Sequence, residues 1–153
     1  MRVVIGSDHG GYELKKELIS LLRELGHEVV DFGTHSTEPV DYPDVACLVA
    51  ASVAREATAT TVGIIIDGAG TGSAITANKV PGVRAAACYD TFTARNSREH
   101  NHANVLTLGS RNTGIEIARE IVKTWLGSSF AGSRHQRRIE KMLQVERRYL
   151  REN

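Results

Sequence analysis

The chain is poor in the features that mark several large classes of protein. Two cysteines in 153 residues, Cys47 and Cys88, are too few for a disulfide framework and lack metal-ligand spacing, so a reducing compartment, the cytoplasm, is expected. Charge of either sign is not in excess: the formal net charge is +1, which gives no overall pull toward nucleic acid or a membrane surface. No apolar run approaches the roughly 20 residues that a membrane span needs. No internal repeat, low-complexity segment or linker interrupts the sequence. The start, MRVVIGSDHGG, reads as a strand running into a turn rather than as a signal peptide. What is present is ordinary: 41% apolar and 24% charged residues, the balance of one soluble globular domain spanning 1–153.

The charges are nevertheless uneven. From Arg134 to Asn153 there are seven basic and three acidic residues, which leaves twelve basic and fifteen acidic ones in the body. Few aromatics interleave this basic tail. Ile139, Met142, Leu143, Tyr149 and Leu150 instead form an apolar stripe at helical spacing. The segment 134–153 is therefore expected to be a helix docked on its own domain or on a neighbouring subunit, not a nucleic-acid arm.

Strand and helix patterns alternate along the chain. Strands are expected over Val3–Gly6, Glu28–Phe32, Val62–Ile66, Val83–Ala87 and Val105–Leu108. The unbroken Ile64-Ile65-Ile66 run suits a strand covered on both faces. Leu14, Leu18, Leu21, Leu22 and Leu25 share one helical face that ends at Gly26; Val45, Leu48, Val49 and Val53 repeat the pattern behind Pro43. Ala118, Ile121, Val122 and Trp125 mark a further helix closing near Gly127, and Thr71–Lys79 and Thr91–Glu99 read as short helices. Such alternation implies a parallel sheet with helices on both sides, whose ligands gather outside the carboxyl ends of the strands. Cys47 is expected in a helix core and Cys88 at a buried strand end.

Chemistry collects near those ends. Gly6-Ser7-Asp8-His9-Gly10-Gly11 sets a carboxylate and an imidazole in a glycine-rich turn, where Asp8 also suits a helix N-cap. Asp67-Gly68-Ala69-Gly70-Thr71-Gly72-Ser73 follows the triple isoleucine, and its alternating glycines let backbone N–H groups converge on a phosphate or an oxyanion. The loop has neither the dinucleotide G-x-G-x-x-G spacing nor the G-K-[ST] ending of a P-loop. Glu99-His100-Asn101-His102 precedes the fifth strand and Gly109-Ser110-Arg111 follows it; without a second ligand cluster, no metal is expected. Arg134 and Arg138, four apart beside His135, present two guanidiniums on one helical face to a phosphate.

SDHGGYELK, VVDFGT, DYPD, the glycine-rich loop with ANKVPGVRAA, HNHANVLTLGSR and GSRHQRR, in this order, resemble the ribose-5-phosphate isomerase B / galactose-6-phosphate isomerase family. The resemblance implies a three-layer α/β/α sandwich on a Rossmann-like five-stranded parallel sheet, with the C-terminal helix packing on a neighbouring subunit. It implies a cytoplasmic homodimer or homotetramer with sites built from two subunits, acting on a phosphorylated sugar without metal or organic cofactor. Its activity would be aldose–ketose isomerisation through an enediolate, ribose 5-phosphate to ribulose 5-phosphate first. By the same resemblance His100 assists ring opening, Asp8 lies near the reacting hydroxyls, and Tyr42 lines the sugar site. Amides of the Gly68–Gly72 loop (Gly68, Gly70, Thr71, Gly72), with Asn101, hold the developing oxyanion, and Ser73 binds substrate beside them. His9, Arg134 and Arg138 bind the phosphate, with Arg111 and His135 as helpers.

The departure from the family pattern falls on the base. Many members carry a cysteine where this chain has Asp67, another branch a glutamate where it has Ser73, and the loop position usually held by Thr or Ser is Ala69. An ordinary carboxylate, with a pKa of about 3.9, is fully available as a base at neutral pH but weaker than a thiolate from a thiol near 8.5. Asp67 is expected to be the base. The alternative is an A-type subunit of galactose-6-phosphate isomerase, which also has an aspartate here, or a non-catalytic sugar-phosphate-binding partner subunit.

Overall fold

The computed structural model describes residues 1–56 and 58–151. Five strands, β1 (Arg2–Ser7), β2 (Glu28–Asp31), β3 (Thr61–Asp67), β4 (Ala85–Ala87) and β5 (Val105–Gly109), alternate with α1 (Tyr12–Glu24), α2 (Tyr42–Glu56), α3 (Thr71–Ala77), α4 (Thr91–Glu99) and α5 (Ile115–Gly127). A last helix, α6 (Arg134–Tyr149), follows; residues 152 and 153 of the expected 134–153 segment lie outside the described residues. Every strand pairing is parallel, in the order β2-β1-β3-β5-β4.

Alternation along the strands builds two cores. Val3, Ile5, Ile64, Ile66, Leu106 and Leu108 point to the face covered by α1 and α5, where Leu18, Leu22, Ile121 and Trp125 are buried. Val4, Ile65 and Val105 point to the other face, against Ala46, Val49, Ala50 and Val53 of α2 and Ala77 of α3. With period two, the isoleucine run must serve both layers, each fully buried side chain contributing about 1.5–3 kcal/mol.

Two expectations about helix faces fail. Cys47 is exposed rather than in a helix core, and Leu48 is 57% exposed. The buried positions of α2 are Val45, Ala46, Val49, Ala50 and Val53, so alanines fill the stripe where the sheet lies close and residues 47 and 48 turn outward. Leu25, at the end of α1, is likewise 45% exposed. The edge strand β4 starts at Ala85, not Val83, because the Val83 N–H goes to Val80 O in the preceding turn and the Arg84 N–H to Asn104 Oδ1, just before β5. Cys88 is buried beneath α4, which pushes its thiol pKa up.

The sheet reverses its direction of growth between β1 and β3: β2 lies beyond one and β5 beyond the other. This switch point opens a crevice at the carboxyl ends of the two central strands. Asp8 follows β1 and Asp67 closes β3, and the Asp8 N–H donates to Ile66 O at 3.2 Å.

Candidate active site

At this carboxyl pole the chain gathers one set of site residues. Asp8 caps the 3-10 turn His9–Gly11 by accepting from the Gly11 N–H at 3.1 Å. Gly11 is obligatory there, because a Cβ would lie 2.6 Å from Ile66 O. His9 is held by accepting from the Val40 N–H on Nδ1, which brings the start of α2 and Tyr42 to the crevice. The Tyr42 ring covers Gly72, where a Cβ would run into it. Arg111 follows β5, its N–H on Gly68 O at 3.0 Å and its side chain alongside Gly68.

Asp67 is 4% exposed and both its carboxylate oxygens are engaged. Oδ1 accepts from the Gly70 N–H, and Oδ2 from the Ser73 N–H at 3.1 Å. Gly70 adopts φ +80°, which turns its amide toward the carboxylate and starts α3 at Thr71. Asp67 thus accepts two backbone N–H groups at the mouth of its own glycine loop. The N–H groups of Gly68, Ala69, Thr71 and Gly72 keep no partner among the described residues. Three hydroxyls, those of Ser7, Ser73 and Ser110, are buried here without a hydrogen bond. Unsatisfied buried donors of this kind mark a place built for a polar ligand.

The second set lies at the opposite pole. His100 caps the C-terminus of α4 and Asn101 follows it, before β5 begins. Val105 pairs with Gly63, four residues before Asp67, so this loop enters the sheet roughly 13 Å below Asp67 along the strand. His100 Nδ1 takes a hydrogen bond from the Asn96 amide at 3.0 Å, leaving Nε2 to carry the ring proton. Its ring stacks on His135 of α6, with centroids 4.1 Å apart and planes at 16°. His135 is buried, and Arg138 donates to its Nδ1 at 3.3 Å. Burial first, then His100, Arg134 and Arg138, hold the His135 pKa below the ordinary histidine value. Expected as a helper at the phosphate, His135 sits between His100 and Arg138 and orients both. Arg134 and Arg138 are exposed and form no salt bridge among the described residues.

The structure therefore brings Asp8, His9, Tyr42, Asp67, Gly68, Gly70, Thr71, Gly72, Ser73 and Arg111 together. It groups His100, Asn101, Arg134, His135 and Arg138 separately. Sequence reasoning missed two contributors. Asn96 stands one helical turn before His100, a spacing that signals contact. Ser110 lay inside the noted Gly-Ser-Arg turn, but nothing in the sequence shows its hydroxyl buried.

A parallel α/β sheet with an anion-seeking glycine loop at its switch point, and arginines on a separate helix, defines a class: α/β proteins that bind small phosphorylated ligands. Residues 3–142 match the model of the Ribose/Galactose Isomerase family, and the chain belongs to that family. It is 45% identical over 147 residues to ribose-5-phosphate isomerase B of Escherichia coli, covering 96% of this chain and 97% of that protein. Among solved structures, ribose-5-phosphate isomerase B of Clostridium thermocellum superposes with a TM-score of 0.94 at 50% identity, over 98% of this chain and 100% of that one. The Mycoplasma genitalium enzyme, solved with bound ribulose-5-phosphate, gives 0.92 at 41% identity, over 95% and 96% of the two chains.

Proposed function

We propose that the chain is an aldose–ketose isomerase of phosphorylated sugars, interconverting ribose 5-phosphate and ribulose 5-phosphate. Membership of the family, and relatives named ribose-5-phosphate isomerase B over nearly the whole chain, support the activity. The observation that carries the mechanism is Asp67, a buried carboxylate ringed by loop amides and unpartnered hydroxyls at the switch point.

In this reading His100 opens the sugar: its Nε2 proton goes to the ring oxygen, the C1 hydroxyl gives up its proton to solvent as the aldehyde forms, and solvent returns a proton to the imidazole. Asp67 takes the C2 proton as the C1 carbonyl oxygen becomes the enediolate oxygen, then returns that proton to C1 while the C2 hydroxyl proton passes to O1. A carboxylate offers about four lone-pair sites, so the two loop amides leave capacity for that proton. The free amides of the Gly68–Gly72 loop, with Asn101, hold the developing oxyanion; each such donor is worth about 3–4 kcal/mol. Asp8 and Tyr42 face the sugar hydroxyls. His9, Arg111, Arg134 and Arg138 take the phosphate.

Because the two sets sit at opposite poles, one chain does not close the site. A second copy is required, with His100, Asn101 and the α6 arginines entering the carboxyl pole of its neighbour. Met142, Val145 and Tyr149, at 41%, 56% and 73% exposure, form an uncovered stripe on α6 that supports its packing against another subunit. The expected product is a homodimer, alone or paired into a tetramer.

The engagement of both Asp67 oxygens favours a second reading, in which Asp67 only caps the loop and the chain is an A-type or non-catalytic partner subunit. Purified protein alone decides. The first reading predicts conversion of ribose 5-phosphate with C2 proton exchange into solvent. The second predicts phosphate-dependent binding and no turnover until a cysteine-bearing homologue is added.

A further inference from the structure

Beneath the loop that carries His100, at the amino ends of β3, β4 and β5, lies a cavity of about 390 Å³ that no step above uses. Arg84, Arg98, His102, Asn104, Thr58 and Thr61 line it. Arg98 is 7% exposed; its guanidinium stacks 4.8 Å from the Trp125 ring centroid, and Nη1 donates to Ala103 O at 2.6 Å. Its Nε is buried without a partner. Arg84 is half-buried and donates from Nε to His102 O at 2.9 Å.

Two guanidiniums thus line one cavity, and no carboxylate forms a salt bridge with either among the described residues. Among the lining residues none is acidic. The acids of the neighbouring segments have other hydrogen-bond partners, Glu56 in Arg2 and the Thr61 hydroxyl, Glu146 in the Gly82 N–H, and of the two only the charge of Glu146 reaches Arg84. Neither arginine forms a salt bridge among the described residues. Burial lowers the pKa of both, and the charge of Arg84 lowers that of Arg98 further. His102 is lowered by burial first, then by the same two charges. Buried charges are ordinarily paired, since an unpaired one forfeits its hydration with nothing in return. Room for a small ligand, an unsatisfied buried Nε and a positive field that Glu146 only partly offsets all specify one kind of occupant.

We propose that this cavity is a second anion site, in which Arg84 and Arg98 grip a phosphate group, free or borne on a small metabolite. The volume exceeds what one ordered water takes, about 30 Å³, and falls within the range of ligand pockets. The two arginines already hold the carbonyls of His102 and Ala103, so an anion between them braces the loop bearing His100 and Asn101. Occupancy at this pole is thereby coupled to the loop of the candidate active site without entering it.

The test first weakens the other phosphate grip, leaving His9 and Arg111 of it in place. In Arg134→Ala/Arg138→Ala protein, calorimetric titration with inorganic phosphate should still find one anion per chain, and phosphate should raise the melting temperature. Adding Arg84→Gln should weaken this binding about tenfold or more, the loss of one charge-assisted hydrogen bond. Crystals of the Arg134→Ala/Arg138→Ala protein soaked in selenate should show an anomalous peak within about 3.5 Å of both guanidiniums, a readout independent of how Arg84→Gln folds. Tighter binding of glycerol 3-phosphate than of inorganic phosphate assigns the site to a metabolite, and equal binding assigns it to free phosphate. The proposal is overturned if the double variant binds no anion, if Arg84→Gln leaves binding unchanged, or if selenate settles only elsewhere. None of these results depends on whether the chain isomerises sugars.

Discussion

Replacing Asp67 by asparagine separates the two things its carboxylate is asked to do. In the structure Oδ1 and Oδ2 each receive a backbone N–H, from Gly70 and Ser73. Asparagine keeps the shape and one acceptor, but turns an NH₂ toward the other amide. Losing one hydrogen bond to a charged, buried acceptor costs about 1.5–3 kcal/mol. For a domain of this length that is a fall in melting temperature of roughly 3–12 °C. The folded protein should still bind ribose 5-phosphate at a temperature well below the new midpoint. Loss of a general base costs about 10²–10⁴ in rate, so C2 proton exchange, followed by NMR in deuterated water, should fall by at least the lower figure. Exchange retained near the wild-type rate would refute the assignment of the base. A melting temperature that does not move would refute the capping geometry, and with it the account of why α3 begins where it does.

Other consequences follow from the same contacts. Asp67→Asn protein mixed with His100→Asn protein, unfolded and refolded together, should regain about a quarter of the wild-type sites if subunits pair at random in a two-fold dimer; no recovery would mean that one chain supplies the whole site. Gly72→Ala pushes its Cβ into the Tyr42 ring, which is 39% exposed and free to swing away; KM should rise several-fold with melting temperature nearly unchanged, and steady-state kinetics with calorimetry check both. His27, His102 and His135 are each held below the ordinary histidine value by burial first. The unfolded chain then binds more protons as pH falls through about 6.5, so their stability contribution is present above that value and lost below it. Urea titrations between pH 7.5 and about 5 should show the decline, and His135→Gln should make it shallower.

Much of the fold was legible because its signals were local and redundant. The isoleucine run, the leucine face of α1 and the Ala118–Trp125 face of α5 each declare one layer, and strand–helix alternation then admits little but a parallel sheet. The errors fall where packing distance overrides hydrophobicity. On α2 the close sheet accepts Ala46 and Ala50 and leaves Leu48 outside, a choice set by helix position rather than by side-chain type. Arg84 and Arg98 were unreadable for the opposite reason: charged residues are presumed to face solvent, and only the folded chain shows a guanidinium enclosed between Trp125 and a loop carbonyl.

The site was legible as an inventory but not as an arrangement. Parallel strands already require that a residue before β5 and a residue after β3 lie at opposite ends, so the distance between His100 and Asp67 follows from chain order once the topology is known. The Asp67 contacts do not follow in that way, because they depend on Gly70 entering the left-handed region. A thiol at position 67 would bring no formal charge to those amides until it ionised, whereas the carboxylate accepts from both. If Asp67 is the base, the loop has been tightened around it, and Asp67→Cys should loosen that loop even where it supports turnover. Faster amide hydrogen exchange at Gly70 and Ser73 in Asp67→Cys protein is the expected outcome. Unchanged protection there would show that the glycine backbone, and not the charge at position 67, holds the loop.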